Sequence, residues 1–486
     1  MSSHDELIRL TACEVVERLR RREVSPLDLV EASLARIEAV DGKVNAMVTL
    51  CPERARDQAR RLMATAPSED PSWLGGLPLA VKDLNDVAGV RTTYGSQIYR
   101  DHVPERSDIM VERLETRGGI TIGKSNTPEF GAGANTFNAV FGDTLNPWNT
   151  SLNAGGSSGG AAVALATGQV WLATGSDLGG SLRTPASFCS VVGLRPSPGR
   201  VASGPDGIKF ETLPVNGPMA RTVEDVALML DAMAGWHIED PLSLEAPAIG
   251  FRESARRRQA PKRVAFSPDL GVTPVNRETR AIAEAAARRL EEAGSIVEEA
   301  CPDFAGVPEA FQTLRALSYA AGMRELLETR RSELKPDVIW NIEKGRALDA
   351  DSIGSAMLRR SKLYDDIAAF FSRYDVLIAP AACTPPLGIE QRWVREVEGT
   401  KFENYVDWLK IASVVTMTSC PSLALPAGFT TDGRPVGVQL IGRPRGEAAL
   451  LSAGAVLEEL LGLSRLVPIE PRMLHCSLTG LEIFAP

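Results

Sequence analysis

Two serines, each beside a pair of glycines, are the residues of this chain best suited to chemistry. Ser157 lies in the run N-A-G-G-S-S-G-G, and Ser181 lies in G-S-D-L-G-G-S-L-R. Glycine lets a backbone come close to a ligand because it has no Cβ. Buried hydroxyls and N–H groups need partners. The two motifs together predict a centre built from serine hydroxyls and backbone N–H groups.

The spacing around these serines excludes the common phosphate-binding loops. A P-loop places Lys and then Ser or Thr after its second glycine, whereas Gly160 is followed by Ala161. A dinucleotide fingerprint needs G-x-G-x-x-G at the start of a helix, and that spacing is not met. No run of His, Cys, Asp and Glu has metal-ligand spacing, so neither a metal nor another cofactor is expected.

A hydrolase nucleophile elbow is the main alternative for the first serine. Ser157 matches G-x-S-x-G, but such a serine needs a histidine base that follows an acid in the chain. The chain has only four histidines, and none has a catalytic sequence context: His4, His102, His237 and His475. The segment before Ser157 is also rich in turn residues, where an elbow requires a strand. Histidine scarcity therefore counts against every Ser-His scheme.

A lysine can replace histidine as the base of a serine hydrolase. Lys82 ends the apolar run L-P-L-A-V-K-D, which predicts a buried strand. A lysine in solvent at a strand end is the commoner case, but an apolar site would favour the neutral amine, which is a base. It could deprotonate a serine directly or through a second hydroxyl. Gly179 and Gly180 would leave unhindered N–H groups beside Ser181, as an oxyanion hole requires.

A cysteine nucleophile is a weaker alternative. Cys189 lies in F-C-S-V-V-G, which indicates an apolar strand where cysteine is usually just buried. The seven cysteines are scattered and form no C-x-x-C pair, so reduced thiols are expected rather than disulfides.

The elements that must position these residues follow from the hydrophobic pattern. Ser25 predicts the start of a helix with Pro26 at its first position, and the helix ends near Gly42. Thr222 predicts another helix start. Strand–helix alternation predicts a mixed or parallel sheet. We expect one domain of four parts: a helical layer over about 1–70, a core over about 75–235, a surface excursion over about 240–262 and a C-terminal part over about 263–486.

Composition bounds the class of protein. A net charge of −9, with 44% hydrophobic and 24% charged residues, is typical of a soluble globular chain. It gives no indication of nucleic-acid binding. No run of eighteen apolar residues exists, and the N-terminus is polar, so neither a membrane span nor a signal peptide is expected. A cytoplasmic protein is therefore predicted, with a homodimer left open.

The motifs around both serines and the lysine together resemble the amidase signature family. They are L-P-L-A-V-K-D, G-G-S-S-G-G and G-S-D-L-G-G-S-L-R-T-P-A-S-F-C-S-V-V-G-L-R-P. K-S-N-T-P-E-F, N-P-W, P-S-L-A-L-P-A-G and P-V-G-V-Q-L-I-G are similar as well. The resemblance covers nearly the full chain and is weakest over about 240–400. It implies an α/β class fold, an α/β/α layered body with a large mixed central sheet covered by helices.

The resemblance also implies a catalytic triad. Ser181 would be the nucleophile, Ser157 the relay serine with a cis peptide bond, and Lys82 the base. The oxyanion would bind the backbone N–H groups of Leu178, Gly179, Gly180 and Ser181.

Further roles follow from the same resemblance. Ser158, Asp177 and Arg183 match supporting positions, and Ala132 and Ser157 match positions beside the substrate. Ser190 and Leu178 are mild departures from the commoner family residues. The family includes both free-standing amidases and an amidotransferase subunit. We expect a free-standing amidase that acts on a small-molecule amide, because the sequence shows no docking surface for a partner; the alternative is an amidotransferase component that releases ammonia from glutamine within a tRNA-dependent complex. Specificity is expected from the stretches 132–145, 200–215 and 308–410.

Overall fold

The computed structural model describes residues 3–473, so His475 and Cys476 lie outside the described residues. Fifteen strands lie within the described residues: β1 Met47–Leu50, β2 Pro78–Lys82, β3 Ile120–Ser125, β4 Phe137–Asn138, β5 Gly142–Asp143, β6 Leu172–Asp177, β7 Val192–Arg195, β8 Val215–Ala220, β9 Arg263–Phe266, β10 Ile296–Glu299, β11 Val376–Pro380, β12 Glu396–Val397, β13 Thr400–Lys401, β14 Ser422–Phe429 and β15 Pro435–Gly442.

Fifteen α-helices lie within the same residues: α1 Ser3–Arg9, α2 Ala12–Arg20, α3 Pro26–Val40, α4 Pro52–Met63, α5 Ile109–Thr116, α6 Gly159–Ala166, α7 Arg183–Cys189, α8 Val223–Met233, α9 Phe251–Arg256, α10 Arg277–Arg288, α11 Val307–Arg330, α12 Pro336–Arg346, α13 Ala350–Phe370, α14 Lys410–Met417 and α15 Glu447–Leu461. None of the described helices is both long enough and apolar enough to cross a membrane.

A mixed sheet of 11 strands forms the centre of the molecule, in the order β1-β3-β2-β6-β8-β7-β14-β15-β11-β9-β10. Strand β2 runs parallel to both β3 and β6, whereas β6 and β8 are antiparallel. At the other end, β9 runs parallel to β10 and β11. The predicted large mixed sheet is therefore confirmed. Its strands come from every predicted part except the excursion; the single-domain organisation stays a prediction.

Helices cover both faces of this sheet. Successive side chains of a strand point to opposite faces. In β2, Leu79 and Val81 belong to the buried cluster that contains Leu228 of α8. Ala80, between them, belongs to the cluster that contains Val163 of α6. The layered α/β/α arrangement follows from this alternation, and it fixes the end of β2 between two cores.

Local signals in the sequence explain where key helices begin. The Ser25 hydroxyl accepts from the Asp28 N–H, the Asp28 carboxylate accepts from the Ser25 N–H, and Pro26 opens α3, as predicted. Thr222 caps α8 through the Asp225 N–H, also as predicted. These caps satisfy N–H groups that the first helical turn leaves unpaired.

Several local features differ from the sequence analysis or were not predicted by it. Within the predicted helical layer, the segment before α3 is divided into α1 and α2, because Thr11 caps the second helix. The run containing Phe188 and Cys189 was predicted as strand but ends α7, and Ser190 then adopts a left-handed φ of 57° before β7 begins. The excursion over 240–262 contains α9, whose Phe251 is buried against the core. Strand β1 was not predicted.

Candidate active site

Lys82 lies at the end of β2 and is fully buried, with 0% of its surface exposed. Its side-chain nitrogen Nζ is within hydrogen-bond distance of three hydroxyls: 2.6 Å from Ser157 Oγ, 2.9 Å from Ser158 Oγ and 2.9 Å from Ser176 Oγ. Its backbone N–H donates to Thr174 Oγ1 at 2.9 Å. The lysine is therefore held at both ends by hydroxyl groups.

The electrostatics of this site favour a neutral amine. Burial lowers the pKa of Lys82 to about 7, and only the charge of Asp177 opposes that change. Within residues 3–473, Lys82 forms no ion pair with a carboxylate. Desolvation disfavours the charged form of an amine. A large fraction of Lys82 is thus unprotonated at neutral pH and able to accept a proton.

The serine-rich loop reaches Lys82 just before α6. The peptide bond between Gly156 and Ser157 is cis, as the family resemblance implied. The next two glycines are required by packing: a Cβ on Gly159 would lie 2.3 Å from Thr136 Oγ1, and one on Gly160 would lie 2.3 Å from the Asn126 nitrogen. These glycines let α6 pack against the neighbouring backbone.

The turn that carries Ser181 follows β6 and is organised by Asp177. The Asp177 carboxylate accepts from the N–H of Gly180 at 3.0 Å and from the N–H of Leu182 at 3.1 Å. Gly180 has a φ of 113°, and a Cβ there would lie 2.6 Å from Ala412 Cβ, so the position requires glycine. This geometry presents Ser181, which is partly exposed, at the tip of the turn.

The predicted oxyanion donors divide into two groups. Within residues 3–473, the N–H groups of Leu178, Gly179 and Ser181 donate to no protein acceptor. The N–H of Gly180 departs from the prediction, because it is already bound to Asp177. Three of the four predicted donors are therefore free to bind a ligand oxygen.

Asp177 is itself held by two buried arginines. Arg183 donates to both carboxylate oxygens at 3.0 Å, and Arg195 approaches Oδ1 at 3.4 Å. Burial would raise the pKa of Asp177, but the two guanidinium groups outweigh it and hold that pKa well below its usual range. Asp177 stays ionised, which keeps the Ser181 turn in place. The supporting role that the family resemblance implies for Arg183 stays a prediction; in the structure its guanidinium binds Asp177.

Both predicted catalytic serines line one cavity of about 140 Å³. Among the described residues, Ser157 and Ser181 are not hydrogen-bonded to each other through their side chains; the Ser158 N–H donates to the Ser181 carbonyl at 3.3 Å. Aromatic walls come from Phe130, Phe311, Tyr319 and Tyr405. Three of these four aromatic residues lie in the stretch 308–410, and Phe130 lies two positions before the stretch 132–145; specificity was expected from both stretches.

One predicted substrate-contacting residue is not in the cavity wall. Ala132 is fully buried and packs in a cluster with Tyr319 and Ile342, while its carbonyl accepts from Lys335 Nζ at 3.0 Å. Phe130, Gly131 and Gly133 line the cavity instead. The chain turns sharply there, since Phe130 has a φ of 49°, and this turn directs Ala132 into the core.

Ser176 was missed by the sequence analysis. It occupies β6 two residues after Thr174, so both side chains lie on the same face of the strand and both bind Lys82. Strand alternation, applied to the run V-W-L-A-T-G-S-D, was the signal that could have found it.

The alternative nucleophile and bases lie elsewhere. Cys189 Sγ is 3.6 Å from the Ala154 carbonyl, and burial raises the pKa of its thiol far above its usual range. Of the described histidines, His4, His102 and His237 do not line the cavity. Neither a thiolate nor a described imidazole is available to this site.

Comparison with known proteins agrees with the fold and site. The family model described as Amidase matches residues 28–451. An acylamidase from Rhodococcus erythropolis is 35% identical over 453 residues, covering 92% of this chain and 95% of that protein. A glutamyl-tRNA(Gln) amidotransferase subunit from Moorella thermoacetica is 35% identical over 479 residues, covering 93% of this chain and 97% of that protein.

Solved structures extend the same comparison. A bacterial aryl acylamidase of the amidase signature enzymes superposes with a TM-score of 0.87 at 27% identity, covering 95% of this chain and 99% of that one. The chain belongs to the amidase signature family. It is a hydrolase that acts on carbon–nitrogen bonds of amides other than peptide bonds.

Proposed function

We propose that this chain is a free-standing amidase that hydrolyses a small-molecule amide to a carboxylate and ammonia or an amine, through an acyl ester on Ser181. One observation carries the proposal: a buried Lys82 is surrounded by three serine hydroxyls, and two of these serines, Ser157 and Ser176, line the same cavity as Ser181. The arrangement supplies a base, a relay and a nucleophile without histidine or metal ligands.

The proton relay follows from the hydrogen-bond capacity of a neutral amine. Such an amine has two N–H groups and one lone pair. The N–H groups donate to Ser158 and Ser176, and the lone pair accepts the Ser157 hydroxyl proton at 2.6 Å. Ser157 in turn accepts the hydroxyl proton of Ser181, once that side chain rotates toward it on substrate binding. Hydrogen bonds of catalytic groups commonly tighten in this way when substrate binds.

Acylation then proceeds with balanced charge. Ser181 Oγ bonds to the amide carbon while the carbonyl electron pair moves onto oxygen. That oxyanion binds the free N–H groups of Leu178, Gly179 and Ser181; each such donor contributes about 3 kcal/mol in known oxyanion holes. Collapse of the intermediate breaks the C–N bond, and the Lys82 proton returns through Ser157 to the departing nitrogen.

Deacylation repeats the relay with water. Water gives its proton through Ser157 to Lys82 and attacks the ester carbon. The second collapse breaks the bond to Ser181 Oγ, returns the proton to it and releases the carboxylic acid. Asp177 keeps the donor-bearing turn in the same geometry throughout both steps, because its carboxylate holds the Gly180 and Leu182 N–H groups.

Release of ammonia from glutamine within a tRNA-dependent complex is the second candidate. The 35% identity to the amidotransferase subunit from Moorella thermoacetica supports it. The two candidates differ in what the isolated chain does: a free-standing amidase cleaves simple amides alone, whereas a component of a complex requires its partners.

The test is hydrolysis by the purified chain, followed as ammonia release from aliphatic and aryl primary amides and from glutamine. We expect turnover of simple amides and an acylated Ser181 peptide in mass spectra after rapid acid quenching. Ser181→Ala should lose about 10⁶-fold in kcat and show no acyl peptide.

A nearby serine gives a matched control for that variant. Ser187→Ala changes a buried hydroxyl that is bound to the Gly437 N–H and lies outside the cavity, so it should keep the acyl peptide and most of the activity. Full activity of Ser181→Ala would refute the proposed nucleophile. If the chain hydrolyses glutamine but no other amide, and does so only after partner subunits are added, the second candidate would be favoured.

A further inference from the structure

Arg315 lies in the wall of the cavity that holds both predicted catalytic serines. It projects from α11 and is only 5% exposed. Neither the family motifs nor the proposed proton relay uses it. Burying a charged side chain costs free energy, so the groups around Arg315 must offset that cost.

Two tyrosines and an asparagine fix the orientation of this guanidinium. It stacks over the ring of Tyr319 at 4.6 Å and over that of Tyr405 at 5.4 Å. Arg315 also donates to Asn341 Oδ1 and to the Tyr405 hydroxyl, and Asn341 Nδ2 donates to that hydroxyl at 2.7 Å. The planar group is therefore held rigidly before any ligand arrives.

No carboxylate among the described residues pairs with this buried cation. Within residues 3–473, Arg315 forms no ion pair. The acid that influences it electrostatically, Asp337, is itself paired with Lys335 at 2.8 Å. By contrast, Arg183 and Arg195 share the carboxylate of Asp177.

Another buried arginine shows how such a charge is satisfied away from the site. Arg221 donates to the carbonyls of Ile8 and Leu10 and does not line the cavity. Arg315 differs, since its partners are an amide oxygen and a phenol, and one side of it borders open cavity. An anion entering the cavity would complete its coordination, because a guanidinium matches a carboxylate in shape and charge.

We propose that Arg315 binds a carboxylate on the acyl part of the substrate, so that the preferred substrates are monoamides of short dicarboxylic acids. This inference rests on the proposed amidase function. The acyl part is assigned because it stays bonded to Ser181 within the cavity while the amine leaves. A cavity of about 150 Å³ accommodates a benzene-sized ligand, and the 140 Å³ here therefore suits a short spacer between amide and carboxylate.

The experiment compares two amides of the same shape. Succinamate, the monoamide of butanedioic acid, carries a carboxylate where 4-methylpentanamide carries an isopropyl group. For the unmodified chain we expect kcat/KM to be about 100-fold higher for succinamate, the discrimination typical of a charged hydrogen bond. Arg315→Met should abolish this preference because kcat/KM falls for succinamate alone. Arg315→Lys should restore about a tenth of the 100-fold preference.

The control for a buried arginine is Arg221→Met, which should keep the 100-fold preference even where it lowers the melting temperature. A binding readout separates recognition from catalysis. Succinate should bind the Ser181→Ala variant measurably by calorimetry, and the Ser181→Ala/Arg315→Met double variant about 100-fold more weakly.

The outcomes distinguish this inference from the proposed function. Equal turnover of both amides by the unmodified chain, with Ser181→Ala inactive, would overturn the Arg315 inference and leave the amidase function standing. A preference that survives Arg315→Met would also overturn it. If neither amide is cleaved and no acyl-serine forms, the amidase proposal fails, and undiminished succinate binding to the double variant would then overturn the inference as well.

Discussion

Two lysines on neighbouring strands are both completely buried, yet their surroundings differ in kind. Lys82 ends β2, and Lys124 lies on β3, where it is paired in register with Val81; both side chains are 0% exposed. Lys82 is surrounded by serine hydroxyls. Lys124 donates to the Asn85 carbonyl and to Thr92 Oγ1, and lies 3.7 Å from Asp83.

The charged groups around a buried lysine determine whether it can act as a base. Burial lowers the pKa of both lysines, but around Lys124 three carboxylates oppose that change: Asp83, Asp86 and Asp108. Around Lys82 only Asp177 does so, and its charge is already shared with arginines. A carboxylate neighbour retains the proton on an amine, whereas hydroxyls position the amine without stabilising its charge to the same degree.

The largest expected effect comes from replacing the lysine among the hydroxyls. Lys82→Met should lower kcat/KM by about 10⁴-fold, the upper range for loss of a general base, while the melting temperature is retained because no ion pair is broken. Lys82→Arg should be equally inactive, since a guanidinium does not release its proton. Amide hydrolysis and thermal unfolding measure both effects. Substantial activity in either variant would remove the distinction between the two lysines.

Replacing the lysine among the carboxylates should affect stability first. Lys124→Met leaves the buried Asp83 without its cation and should cost about 3–5 kcal/mol of unfolding free energy. Denaturant titration at pH 7 measures this. The double variant Lys124→Met/Asp83→Asn is the control and should recover part of the loss. An unchanged midpoint for Lys124→Met would show that the pair is not structural.

The pH profile of kcat/KM should depend on Lys82 and not on Lys124, and the effect should be of intermediate size. Lys82 accepts a proton only as the neutral amine, so with a pKa of about 7 activity should rise about tenfold per pH unit below that value and level off above it. Lys124→Met should keep the same midpoint, because Lys124 does not touch the cavity. Activity independent of pH between 5 and 9 would contradict the role of Lys82.

The smallest effect should come from removing one hydroxyl that orients the amine. Ser176→Ala takes away a hydrogen-bond acceptor 2.9 Å from Lys82 Nζ and should lower kcat/KM by roughly tenfold or less, the range for one hydrogen bond. Ser176→Thr keeps the hydroxyl and serves as the matched control. A loss as large as that of Lys82→Met would mean that Ser176, rather than Ser157, carries the proton.

The residues that lie in recognisable motifs could be identified from the sequence alone. The glycine-flanked serines, the lysine at the end of an apolar run and the Ser25 and Thr222 helix caps could all be found because they depend on local spacing. The scarcity of histidine counts against a Ser-His scheme and favours Lys82 as the base. The mixed sheet followed from strand–helix alternation, although Phe188 and Cys189 were predicted as strand, since a short buried helix and a buried strand share the same apolar composition.

Which groups come into contact, and what charge they carry, depends on the packing of segments that are distant in the chain. In the folded chain the Gly180 N–H donates to Asp177, Ala132 packs in the core, and the Ser176 hydroxyl is hydrogen-bonded to Lys82. Arg315 also donates to the hydroxyl of Tyr405, which lies ninety positions away in the chain. Hydrogen bonds and pKa values depend on distances of a few ångströms and on exclusion of water, and those quantities exist only once distant segments have packed together.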